Sequence, residues 1–322
     1  MKSLTRALLV IAAAAAPAVA LGQAYPAKPV RILIPFPAGS INDILARQVA
    51  DKLTPALGQT FIAENRIGAG GRIAAAAAAK APADGYTLLL GSASTHVVAP
   101  QIVKNMPYDP VRDFTPISNA ASPATGLVVN AELPVATVRE LVDYARKNPG
   151  KISFASNGIG STHQLRGEFI KAAAGIDMVH VPFSGSNELV AAILANTVQM
   201  TFIVPGNVKQ HIDSGRLRLL AVTTPKRYAV MPNVPTILEE LPGYEPIVDW
   251  FAFFGPAGLA RPIVMRLNGE IVKALQMPEV RAALDKQSLI VIASTPEELA
   301  EQIKRELPVY ARAVKAAGIQ PE

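Results

Sequence analysis

The sequence predicts an α/β protein of two lobes, in which a middle segment is inserted between two chain ends that fold together. Three observations carry that expectation. Short apolar runs rich in β-branched residues alternate with stretches whose apolar residues recur at helical spacing, the pattern of βαβ units around a parallel sheet. Two small, polar passages, residues 117–125 (ISNAASPAT) and 223–227 (TTPKR), read as crossings between lobes. The chain's 322 residues are enough for two domains. On this reading residues 25–124 and 226–322 form one lobe and 125–225 the other, with a ligand cleft between them.

The elements follow in order. Residues 30–36 (VRILIPF) form a buried strand, and Pro37-Ala38-Gly39 turns the chain into a helix that carries Ile41, Ile44, Leu45, Val49 and Leu53 on one face. A strand at 60–63 precedes a glycine-rich turn, Gly68-Ala69-Gly70-Gly71, and an alanine helix over 73–80. Asp84-Gly85 then signals a turn before a strand at 86–90. In the middle segment, strands at 127–129, 152–155, 178–181, 200–204 and 218–222 alternate with helices. Two of these helices open on capping-box patterns, Thr137-x-x-Glu140 and Ser161-x-x-Gln164. A proline-rich passage follows, then a strand at 250–254, a long helix over 262–276, a strand at 289–292 and a last helix capped at Thr295. Trp250, flanked by Phe251, Phe253 and Phe254, reads as core.

Composition narrows the chemistry. Hydrophobic residues make up 50% of the chain and charged residues 17%, which supplies a core and excludes a disordered protein. With no cysteine, disulfides, thiolate nucleophiles, zinc–cysteine sites and iron–sulfur clusters are excluded. Four histidines leave little room for a histidine metal cluster. A formal charge of +6, part of it from Lys2 and Arg6, is too small to point to nucleic acid. The glycine-rich turn lacks the Gly-Lys-Ser/Thr ending of a phosphate loop, so neither a nucleotide nor any other cofactor is expected.

Residues 1–24 have the layout of a secretory signal peptide: a basic start, the apolar run 7–16, Pro17, and small residues that offer cleavage after Ala20 or after Ala24. The apolar run is too short to span a bilayer, and no later stretch is long enough either. An exported, soluble, monomeric protein is the expectation.

The motifs then point to a family. Pro35-Phe36-Pro37-Ala38-Gly39-Ser40-x-x-Asp43, Glu64-Asn65-Arg66-x-Gly68-Ala69-Gly70-Gly71, Asp84-Gly85-Tyr86-Thr87-Leu88-Leu89 and Val181-Pro182-Phe183-x-Gly185 occur in order. Leu220-Ala221-Val222, Pro232-x-Val234-Pro235-Thr236 and Gly255-Pro256-Ala257-Gly258 continue the series. Over nearly the whole mature chain the sequence resembles the Bug family, the receptors of tripartite tricarboxylate transporters. That resemblance implies a type II periplasmic-binding-protein fold that closes over a small carboxylate and delivers it to membrane permease subunits. The chain departs from the family pattern at Ser40, where a second glycine is usual, and at Phe183-Ser184, where Tyr-Lys is common.

Five loops are the candidate cleft. Phe36, Ala38, Gly39, Ser40 and Asp43 lie on the first, Ser92 and Ser94 on the second. Ser156, Asn157, Gly158, Ser161, Thr162 and His163 lie on the third, Phe183 and Ser184 on the fourth, and Val204 on the fifth. None of the five contains a lysine or arginine, although the chain has 31 such residues, so an anion there is met by backbone N–H groups, hydroxyls and helix N-termini. Two residues keep a double reading. Ser161 and Thr162 either bind an anion at a helix start or simply cap and turn the chain, and Asp43 either receives a ligand amine or hydroxyl or completes the cap begun by Ser40. The enzyme alternative is a secreted serine hydrolase built from Ser161, a cleft histidine (His96 or His163) and Asp43; no Gly-x-Ser-x-Gly elbow supports it.

Overall fold

The computed structural model describes residues 25–159, 161–183 and 186–321. The expected signal peptide, residues 1–24, lies outside them. The first part of the chain runs β1 (Val30–Ile34), α1 (Ile41–Leu57), β2 (Phe61–Asn65), α2 (Arg72–Ala79), β3 (Thr87–Ser92), α3 (Ala99–Ile102) and β4 (Phe114–Pro123). The middle follows with β5 (Gly126–Asn130), α4 (Val138–Lys147), β6 (Ser153–Ser156), α5 (Thr162–Ala174), β7 (Val179–Pro182), α6 (Ser186–Leu194), β8 (Met200–Ile203), α7 (Lys209–Asp213) and β9 (Leu217–Val222). The last part is α8 (Ile237–Glu240), β10 (Phe251–Pro256), α9 (Arg261–Gln276), α10 (Pro278–Lys286), β11 (Leu289–Val291) and α11 (Pro296–Ala316).

Two sheets result. One has the order β11-β4-β10-β3-β1-β2 and draws on both ends of the chain; the other, β7-β6-β8-β5-β9, is built wholly from the middle. Period-2 alternation divides the cores. Ile32 and Leu88 join Leu45 of α1 and Leu267 of α9 on one face of the first sheet. Their neighbours Leu33 and Leu89 face the other way, and that apolar layer runs on through Trp250 and Tyr310 to Leu127, Phe154 and Phe202 of the second sheet. Trp250 is fully buried, as a core residue should be.

The sheets are mixed, not parallel. β1 pairs in parallel with β2 and β3, and β6 with β7 and β8, because helices connect those strands on one side. β10 is antiparallel to β3 and β4, and β5 to β8 and β9. Each of these strands enters its sheet from the other sheet instead of by a crossover helix, and so arrives in the opposite sense.

The passage expected to be a crossing at 117–125 is mostly strand β4, which lies between β10 and β11 inside the first sheet. Its small polar residues are buried and paired rather than solvated. Ser118 Oγ donates to Ser294 O at 2.8 Å, Asn119 N donates to Ser294 Oγ at 2.9 Å, and the buried Asn268 amide donates to Ile117 O at 2.8 Å. Only Ala124 and Thr125 remain between the sheets, pinned by Ala124 N to Ser288 O at 2.8 Å and by Thr223 N to Thr125 O at 2.9 Å. After β9 the chain stays beside the second sheet. Val222 N donates to Pro235 O, and the Glu240 carboxylate of α8 accepts from Val138 N at the start of α4. The chain re-enters the first sheet at Phe251, with Asp249 O held by Ser122 Oγ at 2.6 Å.

Candidate functional site

The β1–α1 loop is shaped from beneath by Asp43. Ser40 caps α1 by accepting from Asp43 N at 3.3 Å, and Gly39 turns the chain at φ 79. The Asp43 carboxylate accepts from Gly39 N at 2.9 Å, from Arg47 Nε at 3.0 Å and from Asn65 Nδ2 at 2.9 Å. Asn65 also donates to Phe36 O at 2.9 Å, tying the far end of the loop to the same carboxylate. Burial pushes the Asp43 carboxyl up, but the Arg47 guanidinium and the Gly39 and Asn65 donors prevail and bring it down to about 2. Asp43 is therefore a buried, ionised anchor with three donors already on it, while Ala38 and Gly39 are exposed and Phe36 and Ser40 half-buried above it.

At the C-terminal end of β3 the buried Ser92 is bracketed by Thr95, whose Oγ1 accepts from Ser92 N and donates to Ser92 O, each at 3.0 Å. The Ser92 hydroxyl itself finds no partner among the described residues. Ser94 is half-buried beside it. His96 is not on the cleft. Its ring stacks on Phe254 at 4.0 Å and sits 4.8 Å from Phe114, fully buried, and burial pulls its pKa down to about 3. Gly91 makes room for it, since a Cβ there would stand 2.5 Å from the His96 ring.

The β6–α5 loop is a ring of hydroxyls around one carbonyl. Gly158, at φ 106, offers its oxygen to Ser161 Oγ at 2.7 Å and to Ser156 Oγ at 3.0 Å. Ser161 also caps α5, accepting from Gln164 N at 3.3 Å, so the structure gives it the capping role. Ser156 is held from the side by His180 Nε2 at 2.6 Å, and Phe183 N donates to Ser156 O at 2.9 Å, which brings the fourth loop alongside the third. Asn157 is exposed. Val204 leads from β8 into a 3₁₀ turn, where its carbonyl accepts from Asn207 N at 3.0 Å. Ser184 lies outside the described residues.

Behind the start of α5 is a pair that the motifs did not single out. Arg166, fully buried, donates from Nη2 to Asp249 Oδ2 at 2.8 Å and from Nε to Ile247 O at 3.0 Å. Thr162 Oγ1 donates to the same Asp249 oxygen at 3.2 Å. The half-buried His163 has a buried Nδ1 with no partner among the described residues; burial and the nearby Arg166 charge lower its pKa to about 4. The sequence signal was available: Thr162, Arg166, Phe169 and Ile170 recur at helical spacing, and an arginine in that buried stripe needs a carboxylate.

This geometry does not assemble a hydrolase. The Ser161 hydroxyl is engaged by Gly158 and Gln164, and no described histidine reaches it. Ser156 and His180 do meet, but Ser156 is fully buried and its hydroxyl also lies 3.0 Å from the Gly158 carbonyl oxygen. What the loops do offer is a partly exposed set of backbone N–H groups and hydroxyls at one helix start and two strand ends, with the Arg47 charge cancelled by Asp43.

Known proteins share this sequence pattern and fold. The tripartite tricarboxylate transporter family receptor pattern matches residues 45–319. Protein BugT of Bordetella pertussis is 34% identical over 323 residues, covering 98% of each chain. The solved structure of R. palustris Rpa4515 with adipate superposes with a TM-score of 0.80 at 33% identity, over 92% of this chain and 100% of that one. MatC (Rpa3494) from Rhodopseudomonas palustris with bound malate gives a TM-score of 0.74 at 28% identity, over 90% of this chain and 100% of that one. The two mixed sheets are thus the two lobes of a periplasmic-binding-protein fold, and the chain belongs to the tripartite tricarboxylate transporter receptor family.

Proposed function

We propose that this receptor is exported under the direction of residues 1–24, binds a small carboxylate in the periplasm and hands it, as a monomer, to the permease subunits of a tripartite tricarboxylate-type transporter. The lobes are taken as residues 25–124 with 226–322 and residues 125–225, closing on each other about the chain crossings. The carboxylate would be held by the start of α5 (Asn157, Gly158, Ser161, Thr162 and His163), with Ser156 fixing that loop. Phe36, Ala38, Gly39, Ser40 and Asp43 would form the opposing wall, completed by Ser92, Ser94, Phe183, Ser184 and Val204.

The observation that carries this reading is the character of the donors. A helix of 13 residues presents its N-terminus beside a glycine-rich turn, a buried Ser92 hydroxyl lacks a partner among the described residues, and the five candidate loops hold no lysine or arginine. Such a site suits an anion recognised by fixed dipoles at short range. The adipate and malate in the related structures support a carboxylate as that anion.

Calorimetry with adipate and malate tests it. Ser92→Ala removes a hydroxyl that bonds no described residue, so thermal stability should stay level while carboxylate affinity falls about tenfold, the scale of one charged hydrogen bond. Unchanged affinity for both acids in Ser92→Ala and Ser161→Ala would move the site off these loops. A steep loss of affinity with added salt would overturn the fixed-dipole reading.

A further inference from the structure

Away from the five candidate loops, a cavity of 830 Å³ opens where the C-terminal helix α11 faces the edge of the first sheet and the segments that run between the sheets. None of the described candidate cleft residues lines it. Its walls are apolar: Ile290 and Ile292 from β11 and just beyond it, Pro246 and Val248 from the chain's return to the first sheet, and Trp250 and Val309. That size and lining fall in the range of small-molecule pockets.

The charges around it are uneven. Three charged groups that line it are committed to partners. Arg227 is paired with Glu239, Glu245 with Arg312, and the half-buried Glu306 accepts from Trp250 Nε1 at 2.6 Å and from Gln302 Nε2 at 2.8 Å. Two cations remain. Lys226, in the segment after β9, and Arg305, on α11, are exposed, line the cavity, and make no ion pair or side-chain hydrogen bond with any described residue. Burial raises the Glu306 pKa, while the Trp250 and Gln302 donors and the Arg305 charge pull it the other way.

We propose that this cavity is a second binding site, separate from the cleft, for an amphipathic organic anion: its apolar body lies against Ile290, Val248 and Trp250, and its anionic head sits between Lys226 and Arg305. A neutral apolar guest would leave both cations unmatched, and a dicarboxylate as small as malate would leave the apolar walls wet.

Trp250 is the chain's one tryptophan, so its fluorescence reports occupancy directly. The probes are 4-phenylbutyrate and its uncharged counterpart 4-phenylbutan-1-ol, titrated into the intact protein. The anion should bind about fivefold more tightly than the alcohol, the scale of one or two exposed ion pairs. Lys226→Ala/Arg305→Ala should erase that preference while leaving alcohol binding level. Val309→Phe, which fills the cavity, should weaken both probes about tenfold. Melting curves establish that the variants fold, and should Val309→Phe fail to, the exposed double variant decides alone. Equal affinity for the two probes, an anion preference that survives loss of both cations, or no binding at millimolar concentration would each overturn the proposal.

Discussion

At Asp43 three donors converge on one carboxylate, and the loop above it takes its shape from them. Because its pKa is lowered to about 2 in the folded chain, its ionised form is favoured by folding. The stabilisation is present above the ordinary aspartate range and fades as pH falls from about 4 towards 2. Asp43→Asn should therefore cost about 1–3 kcal/mol at pH 7, the scale for a buried charged hydrogen-bonding group left unmatched. The gap between variant and wild type should close on approach to pH 2, as urea melts at a series of pH values would show. A gap that is independent of pH would mean that packing alone is lost. Ser161→Ala should cost about 0.5–2 kcal/mol as a lost helix cap, seen as a lower melting temperature. These two residues show how far the site was legible. The cap patterns at Ser40 and Ser161 are local in sequence and could be read there. The engagement of Asp43 by Asn65, and of Thr162 by Asp249, joins residues far apart in the chain and could not. The sequence offers His96 as a cleft histidine, yet it packs inward against Phe114 and Phe254.

At the scale of elements, α5 is the piece that joins the candidate site to the rest of the molecule. Its first two turns carry Thr162 and Arg166 onto Asp249, in the segment that returns to the first sheet, and that segment is also held by Tyr310 of α11 through Val248 O at 2.7 Å. Removing one partner leaves the other charge buried, so Arg166→Met alone should destabilise the protein by about 3–5 kcal/mol. Arg166→Met/Asp249→Asn should recover part of that loss, and a double-mutant cycle by chemical denaturation would measure the coupling. Additive losses would deny that the two act as a pair. Most elements were legible because their signals are periodic: the apolar runs of β1 and β3, the stripe of α1, and the caps of α4, α5 and α11. β4 was not. β4 is packed by α9 and α11, and its small polar residues resemble a linker until Ser294 is seen to bond Ser118 and Asn119, and Asn268 the Ile117 carbonyl. The helix α10 was missed because the sequence after Gln276 offers only a proline start and two turns.

For the whole molecule, the connections between sheets govern how the lobes can move. Ala124–Thr125, the strap after Val222 and the return before Phe251 lie side by side and are hydrogen-bonded to one another or to β4, so motion should be a rotation about that line rather than a free twist. X-ray scattering with saturating adipate should show a more compact particle than without it, and an unchanged profile at demonstrated saturation would rule out closure. The same topology bears on the order in which the molecule can be built. β10 fills the centre of the first sheet, between β3 and β4, and belongs to the last quarter of the chain. Until residues 251–256 are in place, β3 and β4 have no neighbour to share, whereas the second sheet is complete by Val222. Folding should therefore begin in the middle of the chain and finish at its ends, the long-range pairing being the slow step. Pulsed hydrogen exchange during refolding should protect Val128 and Phe202 before Leu89 and Phe253, so the lobe that appears first in the sequence would be the last to become native.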